Sequence, residues 1–158
     1  MERSILKGTM AGALFMAFLF PSLVAAQGNE LPGFRLFDTR EFVAMENPNK
    51  DKLYRAELVT DKINAKEVNG VFVILPTPST GAKVAYHYHK ARESILFILS
   101  GTGFETVDGR KVPVKAGDVL FILPGVKHTI ESSPDKDIRY IEFYTRPPAG
   151  ADVVEVKE

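Results

Sequence analysis

From Leu53 onward, apolar and polar residues alternate in short runs separated by glycine and proline. Tyr54, Ala56 and Leu58 alternate with Arg55 and Glu57. A period of two puts one set on each face of a strand, so this run predicts a strand with one buried face. Residues 71–75 are apolar throughout and need cover on both faces. They are entered through Asn69-Gly70, a pair suited to a tight turn, and left through Pro76-Thr77-Pro78. Further strands are expected over 83–89, 94–99 and 104–107. Asp108-Gly109 then predicts a hairpin into 111–114. Ala116-Gly117 introduces a strand over 119–123, and Pro124-Gly125 one over 126–131. After a polar turn at 132–136, a final strand is expected over 138–145.

Many short strands at close, turn-punctuated spacing predict an all-β antiparallel sandwich or barrel of the jelly-roll kind. No helical pattern is long enough to cover a parallel sheet. Residues 27–52 form a lead-in, where Asp38 and Glu41 could cap a short helix through Met45; residues 42–44 could equally be extended. Asn47-Pro48-Asn49-Lys50 is turn chemistry. The barrel is expected over 53–146, with a polar C-terminal tail over 147–158. Runs apolar on both faces (71–75, 95–99, 119–123) call for a second sheet or a neighbouring chain outside the barrel core, which predicts a two-fold homodimer.

The chain has 158 residues, enough for one domain, and a formal net charge of zero. A neutral chain gives no electrostatic footprint for nucleic acid, and none is expected as a partner. The absence of cysteine excludes disulfides, thiolate metal sites and a cysteine nucleophile. At the N-terminus, Arg3 and Lys7 precede an apolar run over 10–20, and Val24 and Ala26 set a cleavage site after Ala26. That order is a secretory signal peptide over residues 1–26. An uncleaved anchor is the alternative, but the run falls short of the ~20 apolar residues of a spanning helix. The expected location is periplasmic or secreted, without stable membrane association after cleavage.

Candidate chemistry gathers on the histidines, of which there are three. His87 and His89 are one residue apart, so a strand sets both imidazoles on one face and Tyr86 and Tyr88 on the other. Glu93 follows just beyond, and His128 comes from a later strand. Imidazoles and a carboxylate suit a divalent first-row metal. An octahedral ion with these four ligands keeps about two positions for water or substrate. The alternative for Glu93 is a solvated charge at the strand edge, beside Lys90 and Arg92, which look exposed. On the last strand, Ile138, Tyr140, Glu142 and Tyr144 share one face; pointing inward, Tyr140 or Glu142 could touch a ligand, and pointing outward they are exterior or dimer contacts.

These residues resemble the cupins. The first cupin motif reads G-x5-H-x-H-x3,4-E-x6-G; here Gly81, His87, His89 and Glu93 fall on it, and seven residues rather than six separate Glu93 from Gly101. The second reads G-x5-P-x-G-x2-H-x3-N; here Gly117, Gly125 and His128 fall on it, the proline stands one place later as Pro124, and Ser132 replaces the asparagine. The resemblance covers about residues 70–145. It implies a cupin β-barrel holding one divalent ion on His87, His89, Glu93 and His128, with iron or manganese favoured and nickel or zinc possible. It also implies a homodimer and a small-molecule ligand or substrate.

Two functions follow. One is an exported metal-dependent enzyme on a small organic molecule, of the dioxygenase, decarboxylase, lyase or isomerase class. The other is a non-catalytic module that uses the same metal to bind a small ligand. Without a spare histidine or a cysteine, any auxiliary acid or base is Tyr, Glu, Asp, Lys or a metal-bound water.

Overall fold

In the computed structural model, residues 34–145 and 152–157 are described; the secretory segment expected over residues 1–26 lies outside them. Among the described residues, no helix is long and apolar enough to cross a membrane. After the helix α1 (Thr39–Ala44) come β1 (Tyr54–Val59), β2 (Val68–Leu75), β3 (His87–His89), β4 (Ser94–Ser100) and β5 (Thr102–Val107). Then follow β6 (Arg110–Lys115), β7 (Val119–Ile122), β8 (His128–Ser132), β9 (Ile138–Thr145) and β10 (Val153–Glu155). They form two five-stranded antiparallel sheets, ordered β1-β2-β9-β4-β7 and β10-β3-β8-β5-β6. This is the all-β jelly roll expected from the strand pattern.

The alternation of side chains divides the apolar residues into two cores. Inward positions of the first sheet (Val71, Val73, Leu75, Leu96, Ile98, Ile138, Tyr140) meet Val114 and Ile130 of the second. Outward positions Phe72, Ile74 and Ile141 pack with Ala56, Leu58 and Phe42 of α1. Phe42 stacks on Phe72 at 4.7 Å between ring centroids. The lead-in segment thus supplies cover for β2 and β9 that the sequence pattern assigned to another sheet or chain. Asp38 caps α1 by accepting from the Arg40 backbone N–H, as expected. At the other end, the Arg139 guanidinium on β9 donates to the carbonyls of Phe42, Val43 and Met45. Those carbonyls have no partner within the helix, so one arginine fastens α1 to the sheet.

Several expected boundaries move for identifiable reasons. Asn69-Gly70 is not a turn: both residues lie within β2, with Asn69 opposite Tyr144 and Gly70 opposite Phe143. Glycine serves a close approach there, because a Cβ on Gly70 would stand 2.8 Å from the Phe143 ring and 3.2 Å from Val59 Cβ. Asp108-Gly109 does form the β5–β6 turn, with both φ angles positive (46° and 79°) as a type I′ hairpin needs. The C-terminal tail is not merely a polar extension: β10 pairs along β3, Val153 opposite His89 and Glu155 opposite His87.

Because Gly70 is backed by a ring and a β-branched side chain, Gly70→Val should destabilise the fold by about 1–3 kcal/mol, the range for overpacking. Urea unfolding followed by circular dichroism measures it; an unchanged midpoint would show that β2 and β9 can separate at this rung.

Candidate metal centre

β3 and β8 meet at one rung, where His87 stands opposite His128. His89 shares the face of His87 two residues on, so three imidazoles enter the same end of the barrel. Ring centroids are 4.4 Å apart for His87 and His128, 4.8 Å for His87 and His89, and 5.4 Å for His89 and His128. One nitrogen from each ring lies within 4.8 Å of the others, so the three could hold a metal ion.

Local backbone chemistry orients the rings. His87 Nδ1 lies 2.7 Å from the Ala85 carbonyl oxygen, and His128 Nδ1 lies 2.9 Å from that of Val126. A carbonyl only accepts, so each Nδ1 carries the proton and each Nε2 keeps a lone pair. In both strands the accepting carbonyl is two residues before the histidine, and in both the strand begins at the histidine itself. β3 thus covers 87–89 rather than the expected 83–89, and β8 starts at 128 rather than 126. His89 is held by a side chain instead: its Nδ1 lies 3.0 Å from Asp152 Oδ2. Asp152 Oδ1 also accepts from the Ala91 N–H at 2.9 Å, fixing the turn after β3.

The three Nε2 atoms therefore converge as acceptors. His87 Nε2 and His89 Nε2 are 3.1 Å apart, within reach of one cation shared by both. The rings themselves resist becoming that cation. Burial pushes His89 down to about 4, helped by Arg92 and the other two imidazoles, and burial also lowers His128. Three neutral imidazoles whose outer nitrogens are fixed by acceptors are a fitting donor set for a divalent first-row ion.

Of the four expected ligands, the structure brings together His87, His89 and His128 and does not bring Glu93 to them. Glu93 is exposed, and its backbone is engaged with Thr145 of β9. The reason is register. In β4, Ser94, Leu96 and Ile98 point inward while Ile95 and Phe97, on the parity of Glu93, point outward. The signal was the extra residue between Glu93 and Gly101.

Arg92, expected to be solvated, instead turns inward with its side chain only 11% exposed. Its Nη2 lies 2.7 Å from His89 Nε2 and donates to Glu142 Oε1 at 3.2 Å. Its guanidinium also covers the Tyr144 ring at 4.1 Å. Glu142 is on the inward face of β9, where it accepts from Ser94 Oγ at 2.9 Å. The face of β9 left open by the sequence is thus the inner one, with Tyr140 and Glu142 both buried. Sequence reasoning missed Asp152 entirely, because nothing in local spacing marks a lone carboxylate 63 residues from its histidine.

Deeper in the barrel, Glu105 faces inward from β5 and is 2% exposed. Neither carboxyl oxygen has a hydrogen-bond partner. Burial, with the Glu142 charge nearby, pushes its carboxyl up to about 8. The fold therefore binds a proton that the unfolded chain, near 4.5, has released. The stability this contributes is full below about pH 4.5 and lost as pH rises through about 8. The lowered histidines act oppositely, losing stability as pH falls from their ordinary 6.5. In chelator-treated protein, unfolding free energy should thus decline between about pH 6.5 and 8, and Glu105→Gln should flatten that slope. Denaturant titrations across this window test it; a slope that survives in Glu105→Gln belongs to another group.

Comparison with known proteins gives one consistent family. A cupin domain model matches residues 76–144. The chain is 38% identical over 61 residues to an oxalate-binding protein of Thermotoga maritima, covering 39% of this chain and 50% of that one. It spans only half to about three-fifths (50% and 62%) of the length of the curated relatives it matches. Among solved structures, it is 33% identical to a cupin protein from Bacteroides fragilis, covering 62% of this chain and 80% of that one with a TM-score of 0.53. A predicted oxalate decarboxylase from Thermotoga maritima is 29% identical, with 60% and 81% covered and a TM-score of 0.53. With the jelly roll and the histidine rung in place, these matches establish that the chain belongs to the cupins.

Proposed function

We propose that the protein is an exported, metal-dependent cupin that acts on a small organic carboxylate. The observation that carries it is the convergence of three Nε2 lone pairs, with all three Nδ1 atoms committed to acceptors. One divalent ion, iron or manganese in preference to nickel or zinc, is assigned to His87, His89 and His128. Such an ion supplies Lewis-acid polarisation of a bound carboxylate, and dioxygen chemistry if it is redox-active. The chain's own residues do the rest. Asp152 fixes the His89 ring and strengthens it as a donor. Arg92 and Arg55, the latter 3.9 Å from Glu142 Oε2, bring guanidinium forks that match a carboxylate. Buried Tyr140 and the apolar inner face keep bulk water away.

Oxalate is the first ligand to try, since one similar protein is described as oxalate-binding and another as a predicted oxalate decarboxylase. The decarboxylase reading and the non-catalytic binding reading share this site and part only at turnover. The order of charged, apolar and small residues over 1–26 supports export to the periplasm or outside the cell.

A second copy of the chain is the proposed partner. On the outward face of β4 and β7, Ile95 lies opposite Phe121 and Phe97 opposite Val119. These four are 39–60% exposed and adjoin along the edge of the sheet. A contiguous apolar face of this kind suits a two-fold contact.

Metal analysis of protein purified without chelator should find about one divalent ion per chain, and His87→Ala/His128→Ala should lose it while keeping the circular dichroism of the fold. Asp152→Asn should weaken metal affinity about 10–100-fold. Absence of metal from native protein, even after addition of manganese, iron, nickel or zinc, sinks the reading. Calorimetric titration of oxalate into loaded protein, with a parallel assay for its consumption, separates the two functions: saturable heat without product is a binder, and product is an enzyme. No heat and no product would remove oxalate as the ligand. For assembly, sedimentation should show a dimer that Phe121→Asp converts to monomer; a native monomer rejects the contact.

A further inference from the structure

The three histidines leave a charge problem. Neutral imidazoles contribute no negative charge to a buried divalent ion, and an uncompensated buried charge is costly. The carboxylate expected from the sequence, Glu93, is on the outside. The buried carboxylates among the described residues are Glu105, Glu142 and the side chain of Asp152. Asp152 is committed to His89 Nδ1 and the Ala91 N–H. Glu105 has no polar partner at all, neither a histidine nor an arginine. Glu142 alone is joined to the histidines through a single atom: Arg92 Nη2 stands 2.7 Å from His89 Nε2 and 3.2 Å from Glu142 Oε1.

We propose that Glu142 is the carboxylate ligand of the metal centre, and that Arg92 holds its place when no ion is bound. This rests on the three-histidine reading above. Arg92 Nη2 and a metal ion need the same lone pair on His89, so they exclude one another. The nitrogen is a positively charged donor set between an imidazole and a carboxylate, the two acceptors that a divalent cation would take. Loading the ion therefore displaces Arg92 and frees Glu142 Oε1 from one of its two donors. The other donor, Ser94 Oγ at 2.9 Å, stays and steers the carboxylate.

Ser94 explains why the ligand comes from β9. It is 1% exposed and six residues separate it from Gly101, the interval at which the first motif carries its glutamate. The inward position is thus occupied by a side chain too short to ligate as a carboxylate. Leu96 lies opposite Glu142 across the β4–β9 ladder, so Ser94 and Glu142 are neighbours on the inner face of adjacent strands. The hydroxyl hands over to the next strand what the motif places on β4. Displaced from His89, Arg92 would retain Tyr144 as a platform at the mouth of the barrel.

The test is cobalt(II) titration of the chelator-treated full chain, read by its visible bands and by competition with a chromophoric chelator. Native protein is compared with Glu142→Gln, Glu142→Asp, Glu105→Gln and Glu93→Gln. Glu142→Gln should bind at least about tenfold more weakly with altered bands, and Glu93→Gln and Glu105→Gln should match native protein. Glu142→Asp keeps the charge facing both arginines but withdraws the oxygens by one methylene, so it should also change the bands. It carries the test if Glu142→Gln fails to fold. Native affinity and bands in either folded Glu142 variant would overturn the assignment while leaving the three histidines standing. A loss confined to Glu93→Gln or Glu105→Gln would move the ligand there. Native protein that takes up no cobalt would overturn the centre itself, and this ligand with it.

Discussion

Everything at the mouth of this barrel depends on where three imidazole protons are placed. His87 and His128 each give their Nδ1 hydrogen to the carbonyl two residues upstream, and His89 gives its own to Asp152. That arrangement decides three things together. It turns the carbonyls of Ala85 and Val126 toward the rings. It fixes the tautomer, so that Nε2 is an acceptor in every ring. And it holds those acceptors close together, 3.1 Å apart for one pair. A binding site of this kind is created by hydrogen bonds made behind the ligands, where sequence motifs carry no letters.

The second consequence is a polar chain running into an otherwise apolar core. Arg92 Nη2, Glu142 and Ser94 are hydrogen-bonded to one another near the histidines, Arg92 Nε is left without a hydrogen-bond partner, and neither oxygen of Glu105 below them has one. The two carboxylates resolve their proximity in different ways. Glu142 keeps Arg92, Arg55 and Ser94 as partners; Glu105, without any, is pushed toward its neutral form by burial and by the Glu142 charge. A neutral carboxyl can donate a hydrogen bond, which no other group on that inner wall of β5 can do, since Gly103 and Val107 flank it.

How much of this was legible in the sequence follows from the range of each signal. Period-two alternation is local, so the strands and the buried face of β1 could be read directly, as could the Asp108-Gly109 hairpin; β4, apolar on both faces, gave no such signal, and its Ile95 and Phe97 point outward. The His-x-His pair was readable for the same reason, and His128 through its spacing from Gly125. Asn69-Gly70 misled because a dipeptide suited to a turn is equally suited to a strand passing beneath an aromatic ring. Glu93 misled because one added residue before Gly101 flips a side chain to the opposite face. Arg92 and Asp152 were invisible: their roles arise from contacts with strands 50 and 63 residues away in sequence, respectively.

The pairing of β10 with β3 adds a constraint that a motif cannot express. Val153 and Glu155 lie opposite His89 and His87, and Lys90 N–H donates to the Asp152 carbonyl. The strand carrying the ligands is therefore held on one side by β8 at a single rung and on the other by a short C-terminal strand. β3 is three residues long and would be weakly held by β8 alone. Metal affinity and the docking of β10 would thus be linked through the His89 ring. An ion held by His87, His89 and His128 would tighten the β3–β8 rung, and Asp152 would carry that gain to β10 through the His89 ring. By the same linkage, loss of β10 loosens the ring before it loosens the barrel, whose core lies elsewhere, in Val73, Leu96, Ile130 and Ile138.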